Sequence, residues 1–254
     1  MPLLCCKEVR VRFGGIVALD GVSFDIAQGQ IVAVIGPNGA GKTTLFNCIS
    51  RLYPIDGGDI LLDGQSLQRL PSHGVAALGI ARTFQNVALF DSLTAAENIM
   101  LGAHADLGCG FLAHALRLPS AARAEQRLAS EVTDLVALLD LGKVAHRRVS
   151  ELPFGTRKRV ELGRALAAKP RLLLLDEPAA GLNHVEVDEL TSLIASIAER
   201  HALSVLLVEH RMSVVMRISH RVVVLDFGRK IADGSPAEIK SDERVIRAYL
   251  GDQV

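Results

Sequence analysis

Two kinds of apolar run alternate along this 254-residue chain. Ile31-Val32-Ala33-Val34-Ile35, Leu172 to Leu175, Val205 to Val208 and Val222 to Leu225 are continuous. Such runs predict strands buried on both faces, as in a parallel sheet covered by helices. Other runs alternate with polar residues. Val9, Val11 and Phe13 are spaced by Arg10 and Arg12, and Val22, Phe24 and Ile26 repeat the pattern after a predicted turn at Asp20-Gly21. Ile60-Leu61-Leu62 leads into Asp63-Gly64, a strand entering a turn. These half-buried strands predict a small antiparallel sheet. Helical spacing appears in Leu128, Val132, Leu135 and Leu139, and again in Val187, Leu190, Ile194 and Ile197. Asn183 and Glu186 stand as a cap and its partner before the second stripe. From Thr94 to about Leu141 the chain is Ala- and Leu-rich with charges, loosened by Gly108, Gly110 and Pro119, which reads as a helical insertion. Strand–helix–strand alternation predicts an α/β fold with a mixed or parallel sheet and flanking helices.

Gly36 to Thr44 reads Gly-Pro-Asn-Gly-Ala-Gly-Lys-Thr-Thr. Gly36, Gly41, Lys42 and Thr43 fit the phosphate loop G-x-x-x-x-G-K-[ST]. The loop follows the apolar run 31–35 and precedes Leu45 to Leu52, which has no Gly or Pro and can begin a helix. Backbone N–H groups of such a loop point at phosphate oxygens. Gly36, Asn38, Gly39, Gly41, Lys42, Thr43 and Thr44 are therefore candidate nucleotide contacts in a P-loop NTPase core. Lys42 brings a positive charge to the β and γ phosphates. The Thr43 hydroxyl suits a magnesium ion that keeps several waters.

Leu172 to Leu175 runs into Asp176-Glu177. The strand carries Asp176 to the sheet edge that presents the phosphate loop, where it can hold magnesium directly or through water. Glu177 is placed to orient and deprotonate an attacking water. Alone, the two carboxylates would read as a strand ending at the surface; the phosphate loop makes them a site. His210 ends the run Val205 to Val208 and can hydrogen-bond a γ-phosphate or the attacking water, although a lone His is more often structural.

Composition narrows the partners. Lys+Arg and Asp+Glu are equal at 28 each, and aromatics are 4% with no Trp. Neither a nucleic-acid surface nor a base-stacking platform is expected. Cys5, Cys6, Cys48 and Cys109 show no metal-ligand or redox spacing and read as reduced structural thiols, as in a cytosolic protein. The first residues carry charge too early for a signal peptide, and no run approaches the ~20 apolar residues of a membrane helix.

In order and spacing these residues resemble the nucleotide-binding subunit of an ATP-binding-cassette (ABC) transporter. Gly36 to Thr44 resembles its Walker A loop, and Leu172 to Glu177 its Walker B strand with catalytic glutamate. Thr83-Phe84-Gln85-Asn86 is similar to the Q-loop, which implies that Gln85 touches magnesium and the attacking water. Leu152-Pro153-Phe154-Gly155-Thr156 sits where the signature belongs, Ala180-Gly181-Leu182-Asn183 at the D-loop, and His210 at the switch histidine. Phe13 lies where the family places an aromatic against adenine. The resemblance runs from about Val9 to Asp233. It implies one cassette over 1–254, with a core and β subdomain at about 1–85 and 160–254 and a helical subdomain at about 86–159. Arg12-Phe13-Gly14-Gly15, Gly79 to Gln85, Glu97-Asn98, Glu209 to Met212, the loose stretch Ala103 to Arg123 and the ending Tyr249-Leu250-Gly251 resemble branched-chain amino acid uptake systems more closely. ATPases for urea and other amides and for lipopolysaccharide export are close relatives. A cassette acting on nucleic acid or ribosomes is the rival from another class, opposed by neutral charge and a single cassette.

The resemblance implies a magnesium-dependent ATPase on the cytoplasmic face of the membrane, bound peripherally to permease subunits and never touching the transported substrate. Hydrolysis sites of this family form between two subunits, one supplying the Walker motifs and the other the signature. The usual signature is Leu-Ser-Gly-Gly-Gln, of which only Leu152 and Gly155 remain. Pro153 has neither hydroxyl nor N–H. What persists is the start of a helix, expected over Arg157 to Ala168, whose N-terminus still favours an anion, with a hydroxyl from Thr156. An intact Walker set beside an altered signature favours a heterodimer with a second ABC ATPase over a homodimer. Asn183 stands where Asp is common, and Arg211, where a carboxylate is common, reads as a solvated surface charge.

Overall fold

The structure is a computed structural model that describes residues 1–71, 74–83, 87–103 and 119–250, the side chains of 119–125 and 250 excepted. Strands β1 (Leu4–Phe13) and β2 (Ile16–Ile26) form a hairpin. β1 pairs in turn with β4 (Gly57–Leu62), and β5 (Gln65–Ser66) completes an antiparallel sheet of order β2-β1-β4-β5. The second sheet has the order β10-β9-β3-β8-β7-β6, built from β3 (Ile31–Ile35), β6 (Ile80–Arg82), β7 (Leu172–Asp176), β8 (Ser204–Val208), β9 (Arg221–Asp226) and β10 (Arg229–Gly234). β9, β3, β8, β7 and β6 are parallel, and β10 is an antiparallel edge strand.

The continuous apolar runs are explained by burial on both faces. Ile31, Ala33 and Ile35 of β3 face one core, and Val32 and Val34 face the other. The same alternation divides Leu173 and Leu175 from Leu172 and Leu174, and Val205 and Leu207 from Leu206 and Val208. One core is closed by helix α1 (Lys42–Ile49) and the antiparallel sheet. The other is closed by α3 (Ala95–Gly102), α4 (Pro119–Leu138), α5 (Phe154–Ala167), α6 (His184–Arg200) and α7 (Met212–Ile218), the short α2 (Gly74–Ala77) lying earlier in the chain. Helices α8 (Pro236–Ser241) and α9 (Glu243–Leu250) follow β10. Both helical stripes face inward: Leu128, Val132 and Leu139, and all four of Val187, Leu190, Ile194 and Ile197, are buried.

The turn expected at Asp20-Gly21 is absent. The hairpin turns at Gly14-Gly15, and β2 runs straight through position 21. Val9 pairs with Val22 but Arg10 pairs with Asp20, so Gly21, at φ +74°, is the extra residue of a bulge. A glycine inside a strand marks a bulge as readily as a turn, and sequence alone does not separate them. The Asp63-Gly64 turn is present, with both residues at positive φ. The helix expected over 157–168 begins at Phe154, because Pro153 is its N-cap and its carbonyl accepts from Arg157 N at 3.0 Å. Where α3 crosses α5, a Cβ on Gly102 would lie 1.9 Å from the Arg164 carbonyl oxygen, so only glycine allows this approach. Cys6 and Cys48 are buried free thiols, and burial pushes Cys48 up to about 12 and Cys6 higher still, which keeps both protonated and inert. Cys109 lies outside the described residues.

Leu206, fully buried in the central strand β8, tests this packing. Leu206→Ala is expected to cost about 2–5 kcal/mol in chemical denaturation, with the transition midpoint lowered.

Candidate nucleotide site

Three parallel strands end side by side and bring the predicted residues together. Val34 of β3 pairs with Val208 of β8, which also pairs with Asp176 of β7. The residues just beyond these ends are the glycine loop, Glu177, and Glu209-His210. In the loop Gly36, Gly39 and Gly41 have φ of +150°, +82° and +99°. A Cβ on Gly36 would stand 2.1 Å from the Leu225 carbonyl oxygen, so a side chain there is excluded by space as well as by backbone conformation. Helix α1 opens at Lys42 with Gly41 as its N-cap. Asn38, Gly39 and Thr43 are exposed, and Thr44 is half-buried.

Lys42 is 6% exposed, and its Nζ donates to the carbonyls of Gly36 at 2.8 Å and Pro37 at 2.9 Å. The loop thus folds around its own lysine. Burial lowers the ammonium's pKa, and the charge of Glu177 works in the opposite direction. A triphosphate would add far more negative charge in the same place.

Glu177 holds φ +48°, a strained conformation for a residue with a side chain. Its backbone N–H is tied to Val208 O at 2.9 Å, and its Oε1 lies 3.0 Å from His210 Nε2. The predicted base and the predicted switch histidine are therefore direct partners. Behind them Glu209, 3% exposed, accepts three backbone N–H bonds: from Ala179 at 2.9 Å, His210 at 2.8 Å and Arg211 at 3.0 Å. Arg211 is not a solvated surface charge. Its Nη2 donates to Leu182 O at 2.9 Å, because the Glu209 carboxylate turns the chain back over residues 179–182. Asn183 also has a concrete role, in a capping box with Glu186 formed by two 3.0 Å bonds at the head of α6.

Asp176 is buried and paired with Arg82, whose Nη2 donates to Asp176 Oδ2 at 2.7 Å. Neither Arg82 nor Glu209 was singled out as a site residue from the sequence. Arg82 pairs with Asp176 and Glu209 with Ala179, both remote in the chain, and the one local signal was position, each standing at or just past a strand end. Gln85 lies in 84–86, outside the described residues.

Pro153 and Phe154 are exposed, and Gly155 and Thr156 are half-buried. The Phe154 ring packs on Gly181, where a Cβ would come within 2.8 Å of it, and Gly155 abuts the Glu186 carboxylate. The predicted signature and D-loop are thus one contiguous surface. Phe13 is 46% exposed, its ring edge-on to Tyr53 at 5.4 Å.

The ABC transporter family pattern matches residues 19–180. The chain belongs to the ABC transporter family. A second pattern, that of branched-chain amino acid ATP-binding cassette transporters, matches residues 229–254. The high-affinity branched-chain amino acid transport ATP-binding protein BraF of Pseudomonas aeruginosa is 43% identical over 251 residues, 99% of this chain and 98% of that protein. Its counterpart LivG of Escherichia coli K12 is 41% identical over the same shares. The lipopolysaccharide export ATP-binding protein LptB of Escherichia coli K12 is 32% identical over 99% of this chain and 98% of that protein. An ATP-binding cassette of an ABC transporter solved in its ADP conformation matches with a TM-score of 0.85 and 28% identity, covering 99% of this chain and all of that one. The cassette described here is accordingly an ABC ATPase with a P-loop NTPase fold. No described helix is long and apolar enough to cross a membrane.

The Asn183 cap generates a simple expectation. Asn183→Ala should cost about 1 kcal/mol in thermal or chemical unfolding, while Asn183→Asp, which keeps an acceptor at the helix head, should be near neutral.

Proposed function

We propose that this cassette is the ATP-hydrolysing subunit of an importer for branched-chain amino acids or related amides, and that it drives uptake through a membrane permease. The observation that carries this reading is the 43% identity to BraF across 99% of the chain. The branched-chain pattern at residues 229–254 favours it over lipopolysaccharide export. In this reading the chain sits peripherally on the cytoplasmic face of the membrane and touches neither nucleic acid nor the transported substrate.

The chemistry is in-line attack of water on the γ-phosphate of ATP. Lys42 exchanges its two carbonyl contacts for phosphate oxygens, and the amides of Gly39 to Thr44 stabilise charge on the transferring group. Phe13 offers a face to adenine. Glu177 takes the proton of the attacking water, and His210, already hydrogen-bonded to Glu177, holds that carboxylate and senses the γ-phosphate. Thr43 and Asp176 are hard oxygen donors, and among the described residues no group of three or more His, Cys, Asp or Glu could hold a metal. This donor set suits magnesium, which binds with phosphate oxygens and retains waters. Thr43 and Asp176, with Gln85 as the resemblance implies, would hold it, and it would supply positive charge to the transferring phosphoryl group. The N–H groups at the head of α5, with Phe154, Gly155 and Thr156, serve the nucleotide of a second ABC ATPase, in a heterodimer rather than a homodimer.

The helical subdomain at about 86–159 supplies the docking face for the permease. Phe90, Met100 and Leu101 are exposed at 56%, 38% and 41%. Buried Asn98 holds Phe90 in place, accepting from its N–H at 2.8 Å and donating to its carbonyl at 3.0 Å. Closure of two cassettes on ATP and reopening after hydrolysis then moves this face.

Reconstitution with the cognate permease and binding protein tests the reading. ATP-driven uptake of labelled leucine into vesicles is expected. Uptake of urea but not leucine would transfer the proposal to an amide system, and no uptake of either would sink it. Glu177→Gln should still bind ATP while hydrolysis drops by roughly 10²–10⁴-fold. In the assembled transporter Pro153→Ser should raise turnover at the partner's nucleotide; unchanged hydrolysis at both sites would remove the basis for an asymmetric pair.

A further inference from the structure

Arg82 is the last residue of β6, and its guanidinium spans three elements of the nucleotide site. Nη2 donates to Asp176 Oδ2 at 2.7 Å, at the end of β7. Nη1 donates to Asn47 Oδ1 at 2.7 Å and Ser50 Oγ at 3.1 Å, on and just after helix α1. The group also lies over the Phe46 ring, 5.7 Å from its centre. The Arg82 and Asp176 side chains are 10% and 6% exposed. A carboxylate taken this far from water is costly unless a cation stays beside it. The carboxylate offered to the metal therefore already carries a resident counter-charge.

We propose that Arg82 is a positioning residue that stands in for the metal's charge at Asp176, so that a divalent cation is accepted only together with the triphosphate. With Oδ2 held by the guanidinium, Oδ1 is left for the cation's side of the site. A free cation arriving alone meets a pair of zero net charge and gains little. A cation carried by the phosphates brings its own ligands and needs only orientation from Asp176. The bonds to Asn47 and Ser50 keep Arg82 fixed to the helix that presents Lys42 and Thr43, so the same side chain sets the spacing between both metal-holding elements.

The proposal rests on the nucleotide reading of the site, and its test separates the two. Binding of Mn2+ alone to the nucleotide-free chain is followed by loss of the free-ion signal in electron paramagnetic resonance. ATP affinity in EDTA is measured on the same samples. The wild type should bind Mn2+ weakly. Arg82→Gln should bind it at least about tenfold more tightly, since removing a cation a few ångströms from the carboxylate unmasks its charge. Arg82→Lys, which keeps the charge, should behave like the wild type. Asp176→Asn added to Arg82→Gln should abolish the gain, which identifies Asp176 as its source. Arg82→Met, which can pack on Phe46, repeats the test should the Gln variant fail to fold. A neutral variant that binds ATP in EDTA yet gains no Mn2+ affinity overturns the proposal. Loss of ATP binding by the wild type in EDTA and in Mn2+ alike would instead overturn the nucleotide reading.

Discussion

The site depends on one constraint, the common register in which β3, β8 and β7 end. Val208 is opposite both Val34 and Asp176, so the glycine loop, the carboxylates and His210 leave the sheet at one level. A register slip by a single residue would move every side chain of a strand from one core to the other. Because both faces of these strands are buried, either core resists such a slip. The apolar runs that look like mere filling are therefore what fixes the distance between Lys42, Glu177 and His210.

Around that edge, carboxylates do three different jobs. Glu177 is left partly accessible, held through its backbone to Val208 and through its side chain to His210. Glu209 is buried and spends both oxygens on backbone N–H groups of two segments. The first leaves part of its carboxylate open to the site, and the second ties residue 179 to residue 211 through hydrogen bonds. Asp176 is a third case, a buried charge balanced by Arg82. Three acidic residues within one strand-end cluster are thus distinguished by what their oxygens already touch.

Much of this was legible in the sequence, because the signals are local. The phosphate loop, the strand ending in Asp176-Glu177, the Asn183–Glu186 cap and the inward stripes each occupy one short segment. What was not legible joins distant segments. Arg82 and Asp176 are 94 positions apart and Arg211 and Leu182 are 29 apart, and no spacing rule links such pairs. Gly21 failed for another reason: the residue type is the same for a turn and a bulge, and only the pairing of Arg10 with Asp20 tells them apart. The helix expected from Arg157 starts at Phe154 with Pro153 as its cap, which moves the signature residues onto the helix.

The crossing of α3 and α5 at Gly102 has a mechanical meaning. There the two backbones touch with no layer of side chain between them. A joint cushioned by long side chains absorbs small displacements through rotamer changes; at Gly102 no side chain stands between the backbones to do so. The contact acts as a stop that sets how near the helix bearing Met100 and Leu101 can come to the helix that begins at Phe154.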